Sequence, residues 1–317
     1  MTAVHVHAAP EITSETNLEG ESNQERWAAY VMEQMLLAAD EAIENMEPAE
    51  VGIGYSQSYI NVNRNANYTD EEGNAYRSYG FNGEGFSDHT LKAIQFNSLA
   101  TGEPIAFIVS HDLHNIVMNA NEYFDPEYEG INYTEEEKYG DSGVCGLHPD
   151  VAGLVSLYLE ENYEGSVALW LCGTAGDQGP LVMNQIWTPD PATGVQEENY
   201  IAGASVEICE YLAKIQYADV KKALSSITEF KPTMEISYAY GTSLLPPAES
   251  GNDKVTMGLQ VLKLGDIVLA GTVGELYSST GAYMREHSLM EDTLVVNCVW
   301  NSHETKASYY PDYDASI

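Results

Sequence analysis

The sequence predicts an α/β protein, a layered mixed β-sheet covered by helices, on three observations. Residues 105–109 (Ile-Ala-Phe-Ile-Val) are apolar without alternation, the pattern of a central strand covered on both faces, and 166–171 and 267–271 read as further buried strands. Residues 24–46 place Trp27, Val31, Met35, Ala38, Ala42 and Met46 at three- and four-residue steps among Glu and Gln, which is the period of an amphipathic helix. Polar groups follow the apolar runs at their C-terminal ends, where open α/β sheets gather their sites.

The first stretch, Val4-His5-Val6-His7-Ala8-Ala9-Pro10, sets two imidazoles one residue apart in a β-favouring context. If extended, both rings share one face, where they serve either as metal ligand and substrate contact or as half-buried histidines at a strand end. Pro48 closes the helix over 24–46. A strand over 51–55 leads to 60–65, where Arg64 stands among asparagines as a surface residue or a fixed clamp for an anion or carbonyl. Residues 92–97 and 105–110 flank Ala100-Thr101-Gly102-Glu103-Pro104 and predict a hairpin.

The second hairpin strand delivers His111, and His114 follows. A metal, a buried hydrogen bond or exposure each explains either one. Position at the strand end favours His111. After a Tyr-, Glu- and Gly-rich loop over 123–143, His148-Pro149-Asp150 opens a helix through Leu159. The strand over 166–171 runs into Gly173-Thr174-Ala175-Gly176-Asp177-Gln178-Gly179-Pro180. With no Lys-Ser/Thr following, this is no phosphate loop, and Asp177 is placed to orient a neighbour.

A second helix is read over 205–227, then strands over 233–240, 254–264 and 267–271, with a turn at Leu264-Gly265-Asp266. Glu275 falls where the last of these gives way to a helix, as a first-turn residue favoured by the dipole or as a metal ligand. A strand over 293–299 follows. The strands ending at His5, His111, Cys172 and Thr272 are expected to share one sheet, their ends on a common edge, covered by the helices over 24–46 and 205–227.

With 317 residues, 44% of them hydrophobic, the chain can bury a full core as one large domain. A formal charge of -36, with 49 acidic residues against 13 Lys and Arg, repels phosphate backbones, and no basic patch offsets it, so nucleic acid is excluded as a partner. Cys145, Cys172, Cys209 and Cys298 lack CxxC spacing and read as buried free thiols. No export signal precedes His5, and no run reaches the ~18 apolar residues of a transmembrane segment.

Taken in order, the His-x-His start, the Asn-Arg segment, the strand ending in His, the Gly-Asp-Gln-x-Pro loop, the Gly-Glu after a buried strand and the late Tyr-x-Pro resemble the neutral/alkaline, non-lysosomal ceramidase family. The resemblance spans nearly the whole chain. It implies an α/β catalytic domain over 1–317, incomplete at both ends, with a single zinc site at strand ends, one Zn2+ per chain. It implies hydrolysis of the amide bond of N-acylsphingosine or a related lipid-like N-acyl substrate, and a secreted or cell-surface setting. Carried over by residue, it makes His5, His111, Glu275 and Tyr309 metal ligands, leaves His114 outside the metal's shell, and gives His7 and Arg64 catalytic roles beside the metal. The usual Pro-Gly-Glu is here Val273-Gly274-Glu275. The competing expectation is a non-catalytic acidic binding protein that keeps the fold.

Overall fold

The structure, a computed structural model, describes residues 2–9, 22–70, 72–118, 148–182, 185–189, 196–200, 205–232, 234–245, 255–299 and 309–310. In chain order the elements are α1 (Asn23–Glu44), β1 (Ala49–Gln57), β2 (Asn61–Thr69), β3 (Ala75–Asn82), β4 (Thr90–Ser98), β5 (Pro104–His111), α2 (Asp150–Asn162), β6 (Val167–Cys172), β7 (Gln178–Pro180), β8 (Gln185–Pro189), β9 (Gln196–Tyr200) and α3 (Ser205–Ser225). They continue with β10 (Ile236–Leu245), β11 (Val255–Leu264), β12 (Ile267–Thr272), β13 (Glu275–Leu276), α4 (Ser278–Glu286), β14 (Asp292–Val296) and β15 (Tyr309–Tyr310).

The fold is α/β, as expected, but the strands form two four-stranded sheets, ordered β1-β4-β5-β6 and β10-β11-β12-β14, with smaller sheets β3-β2-β7, β13-β15 and β8-β9 besides. Side-chain parity explains the arrangement. Along β5, Phe107 and Val109 point toward the helices α2 and α3, packing with Val155, Leu159, Leu212 and Val220, while Ile108 points the other way. There it meets the second sheet across a core of Val51, Ile94, Ile267, Leu269 and Leu294. Val295, one residue out of phase with Leu294, instead turns to Met284 of α4. The result is four layers, helix on sheet on sheet on helix. Each large apolar side chain fully buried in it contributes roughly 1.5–3 kcal/mol.

The single-sheet expectation is therefore corrected: β5, which carries His111, and β12, which leads to Glu275, lie in separate sheets. A strand apolar on both faces is covered on both faces, but its pattern cannot say whether helix or sheet covers it. The first segment is corrected too. His5 sits at φ 59°, which breaks the extended path, and Val6 makes a lone parallel bridge to Asn115.

The hairpin over 92–110 forms as β4 and β5, turning at Gly102 with φ 77°. Helix α1 begins on a capping box between Ser22 and Glu25. It does not cover the sheet, however: among its described side chains Ala28 alone is buried, and Leu36, Leu37 and Ile43 are exposed. The covering place expected for it is taken by α2, with α3 as its neighbour. That close approach of α3 needs Gly52 and Gly54 of β1. A Cβ at Gly54 would stand 1.9 Å from the Ala223 carbonyl oxygen, and one at Gly52 2.5 Å from Ile227 Cγ2.

Candidate metal centre

Residues 2–7 strap the two sheets together at one end. On one side Thr2 bridges Val299 and the Ala3 amide donates to the Cys298 carbonyl at 3.1 Å, just past the end of β14. On the other, Val6 pairs with Asn115, whose side-chain amide donates to the Val4 carbonyl at 2.7 Å, just past the end of β5. The strap thereby sets His5 and His7 beside His114, with ring centroids 5.0 Å (His5–His7), 4.2 Å (His5–His114) and 5.7 Å (His7–His114) apart. One nitrogen from each of the three rings lies within 4.8 Å of the others.

Glu275 joins this cluster from β13, the short strand that follows β12 and pairs with β15. Its Oε2 lies 3.0 Å from His114 Nε2 and 3.7 Å from His5 Nε2. Burial is the main cause that pulls the His5 imidazole down to about 3, and it holds His114 well below the ordinary value of 6.5. Both rings are therefore neutral at physiological pH, the form that binds metals. His114 Nδ1 lies 2.6 Å from the Ala175 carbonyl, which can only accept, so the neutral ring's lone pair is on Nε2 and faces Glu275. Four-coordinate zinc with bonds of ~2.0–2.2 Å separates its ligand atoms by roughly 3.4 Å. The two contacts to Glu275 straddle that length, so the donor set fits.

Arg64, on β2, lies beside the cluster. Its Nη2 is 3.3 Å from His114 Nε2, and its Nε and Nη2 donate to the Gly176 carbonyl at 3.2 and 2.9 Å. The loop over 173–178 is thus a common mount for Arg64, His114 and Glu275. Asp177, expected to orient a neighbour, accepts from Asn63 Nδ2 and the Ser278 amide, each at 2.8 Å, joining the strand of Arg64 to the start of α4. Asp112 accepts from the Thr174 amide and hydroxyl and from Ser278 Oγ beneath the same loop, and burial raises it to about 6.

His111 does not join the cluster, and the expectation for it is corrected. It shares the parity of Phe107 and Val109, so its ring points toward α3. Its Nε2 donates to the Ser58 carbonyl at 3.1 Å, and its Nδ1 accepts from Gln216 Nε2 at 3.1 Å, with Gln216 Oε1 in turn accepting from Trp170 Nε1. Both nitrogens are used in the core. His114, expected outside the shell, occupies the position expected of His111. Tyr309 is described by its backbone alone, which pairs in parallel register with Glu275. Among the described cysteines Cys172 and Cys209 are buried free thiols, as expected, whereas Cys298 is partly exposed with its Sγ 3.4 Å from His5 Nδ1. Cys145 lies outside the described residues.

Fold and cluster together define a layered α/β protein with histidines and a carboxylate gathered where two sheets meet. Among solved structures this fold is ceramidase-like. It is similar to neutral ceramidase from Pseudomonas aeruginosa, with a TM-score of 0.57 at 11% identity over 87% of this chain and 49% of that one. A ceramidase complexed with C2 matches with a TM-score of 0.54 at 12% identity, over 81% of this chain and 48% of the other. The chain spans about half the length of these two proteins. At such identity the likeness is one of fold. No family model and no curated protein matches the sequence. Among the described residues no helix is long and apolar enough to cross a membrane.

Proposed function

We propose that this chain is a zinc-dependent amidohydrolase of the ceramidase type, cleaving the amide bond of N-acylsphingosine or a related N-acyl lipid to a fatty acid and an amine. The observation that carries the reading is the convergence of His5, His114 and Glu275 from three distant parts of the chain, with Arg64 beside them. His5, His114 and Glu275 would hold the metal, and Tyr309, whose backbone runs beside Glu275, is the candidate fourth ligand. Bound zinc would supply a Lewis acid and a water with its pKa lowered towards ~7.

The rest of the chemistry belongs to the chain itself. The Arg64 guanidinium is held by the Gly176 carbonyl, so it can receive the amide oxygen as negative charge develops there. His7 is exposed at the mouth of the cluster, where its imidazole can move a proton between water and the leaving amine. The loop over 173–178 keeps Arg64 in register with Glu275, since the Arg64 amide donates to the Asp177 carbonyl at 2.8 Å and the Gly176 amide to the Leu276 carbonyl at 3.0 Å.

The test is metal content and turnover of purified protein on a fluorescently labelled N-acylsphingosine. The parent should carry one zinc and release fatty acid, His114→Ala should lose both, and His111→Gln should keep the zinc. Zinc without turnover on any N-acyl lipid would favour an acidic binding protein that keeps the fold. A parent that takes up no zinc would overturn the reading.

A further inference from the structure

His5 and His114 are mounted in the same way. Each turns Nε2 to Glu275 Oε2 and Nδ1 away from it. Behind His114 stands a backbone carbonyl, whereas behind His5, at 3.4 Å, stands the sulfur of Cys298. The contact is held from both sides. The Ala3 amide donates to the Cys298 carbonyl, the Cys298 amide donates to the Gly274 carbonyl next to Glu275 at 3.1 Å, and Thr2 Oγ1 donates to the Asn297 carbonyl at 3.0 Å. His5 at φ 59° and Cys298 at φ 57° both take the left-handed conformation that side chains other than glycine rarely adopt. Among the described residues Asp150 is the one other non-glycine residue to do so. Such a conformation costs on the order of 1–3 kcal/mol and persists where the surroundings fix it. Here both lie on one contact.

Resting on the metal reading above, we propose that Cys298 is the positioning residue for His5. Its sulfur accepts the Nδ1 hydrogen and so presents Nε2 to the metal as a bare lone pair. A ligand histidine needs such an acceptor behind it, because the ring nitrogen that keeps the hydrogen decides which one can bind. Sulfur, a weak acceptor, serves here where a carbonyl serves His114. Removing the sulfur frees the His5 ring to rotate and to exchange tautomers. A hydroxyl in its place keeps an acceptor.

The experiment measures the zinc dissociation constant by competition with a chromogenic chelator for the parent, Cys298→Ala and Cys298→Ser, with urea unfolding of each metal-free protein alongside. Cys298→Ala should weaken zinc binding about 10- to 100-fold, the usual effect of losing a group that orients a ligand. Cys298→Ser should recover most of that affinity, and the metal-free unfolding midpoints should coincide. An alanine variant that binds zinc as tightly as the parent, or a serine variant as weak as alanine, overturns the role of Cys298 and leaves the metal reading intact. A parent that takes up no zinc overturns the metal reading, and this proposal with it.

Discussion

The buried relay from Trp170 through Gln216 and His111 to the Ser58 carbonyl makes the fold acid-sensitive at one named ring. Protonating His111 would place a hydrogen on Nδ1, against the Gln216 Nε2 that already donates to it. Burial accordingly pulls His111 down to about 3 from its ordinary 6.5. In the unfolded chain the same ring takes its proton near 6.5, so between these values the unfolded state binds more protons than the folded one. The contribution is complete above about pH 7 and drains away as the pH falls through 6.5 towards 3. From pH 7 to pH 5 the loss comes to about 2 kcal/mol for this one group. Urea unfolding at the two pH values, followed by tryptophan fluorescence with a chelator present, measures it in the parent and in His111→Gln. The variant is less stable at pH 7, by roughly 1–3 kcal/mol for the Gln216 amide left without its acceptor. Its further loss on acidification should be smaller than the parent's by that ~2 kcal/mol. If both proteins lose the same stability between pH 7 and 5, the assignment of a neutral, core-locked His111 is wrong.

Gly54→Ala should destabilise by about 1–3 kcal/mol or more, because its Cβ would meet the Ala223 carbonyl at 1.9 Å and push α3 off the sheet. Gly241→Ala, in β10 with nothing within 4 Å, should change stability by less than ~0.5 kcal/mol, and urea midpoints of the two variants compare them directly. Arg64→Ala should leave zinc content near the parent's and lower turnover by roughly 10²-fold, the scale of a lost oxyanion donor, with steady-state kinetics and metal analysis as the measurements.

Most of the elements could be read from the sequence because their patterns are local. The hairpin through Gly102, the turn at Gly265 and the apolar strands over 105–109 and 267–271 depend on neighbours a few residues away. Pairing between sheets does not, and Ile108 carries no mark saying that a second sheet covers it. The exchange of His111 for His114 is more instructive. Phe107, Val109 and His111 alternate with Ile108 and Ser110, so parity already places the histidine on the face of a large apolar pair. Position at the strand end points the other way, and parity decides. Two residues sit between His111 and His114, enough for the chain to leave the strand and turn the second ring to Glu275. Cys298 had no legible signal, since its role depends on a backbone conformation and on a partner 293 residues away.

That separation bears on how the molecule assembles. Thr2 meets Asn297 across 295 residues, so the strap closes a loop that comprises nearly the whole chain. The entropic toll of closure grows only with the logarithm of loop length when the chain is loose, and it shrinks further once both sheets have already brought the ends near each other. Local hairpins can zip early, whereas contacts of such long range belong to the slow end of folding. On that ground the centre is expected to form after the layers dock. Any ion that binds there stabilises, by mass action, the step in which residues 2–7 meet 297–299. Metal uptake during refolding would then act as a clock for chain closure, lagging behind the burial of Trp170.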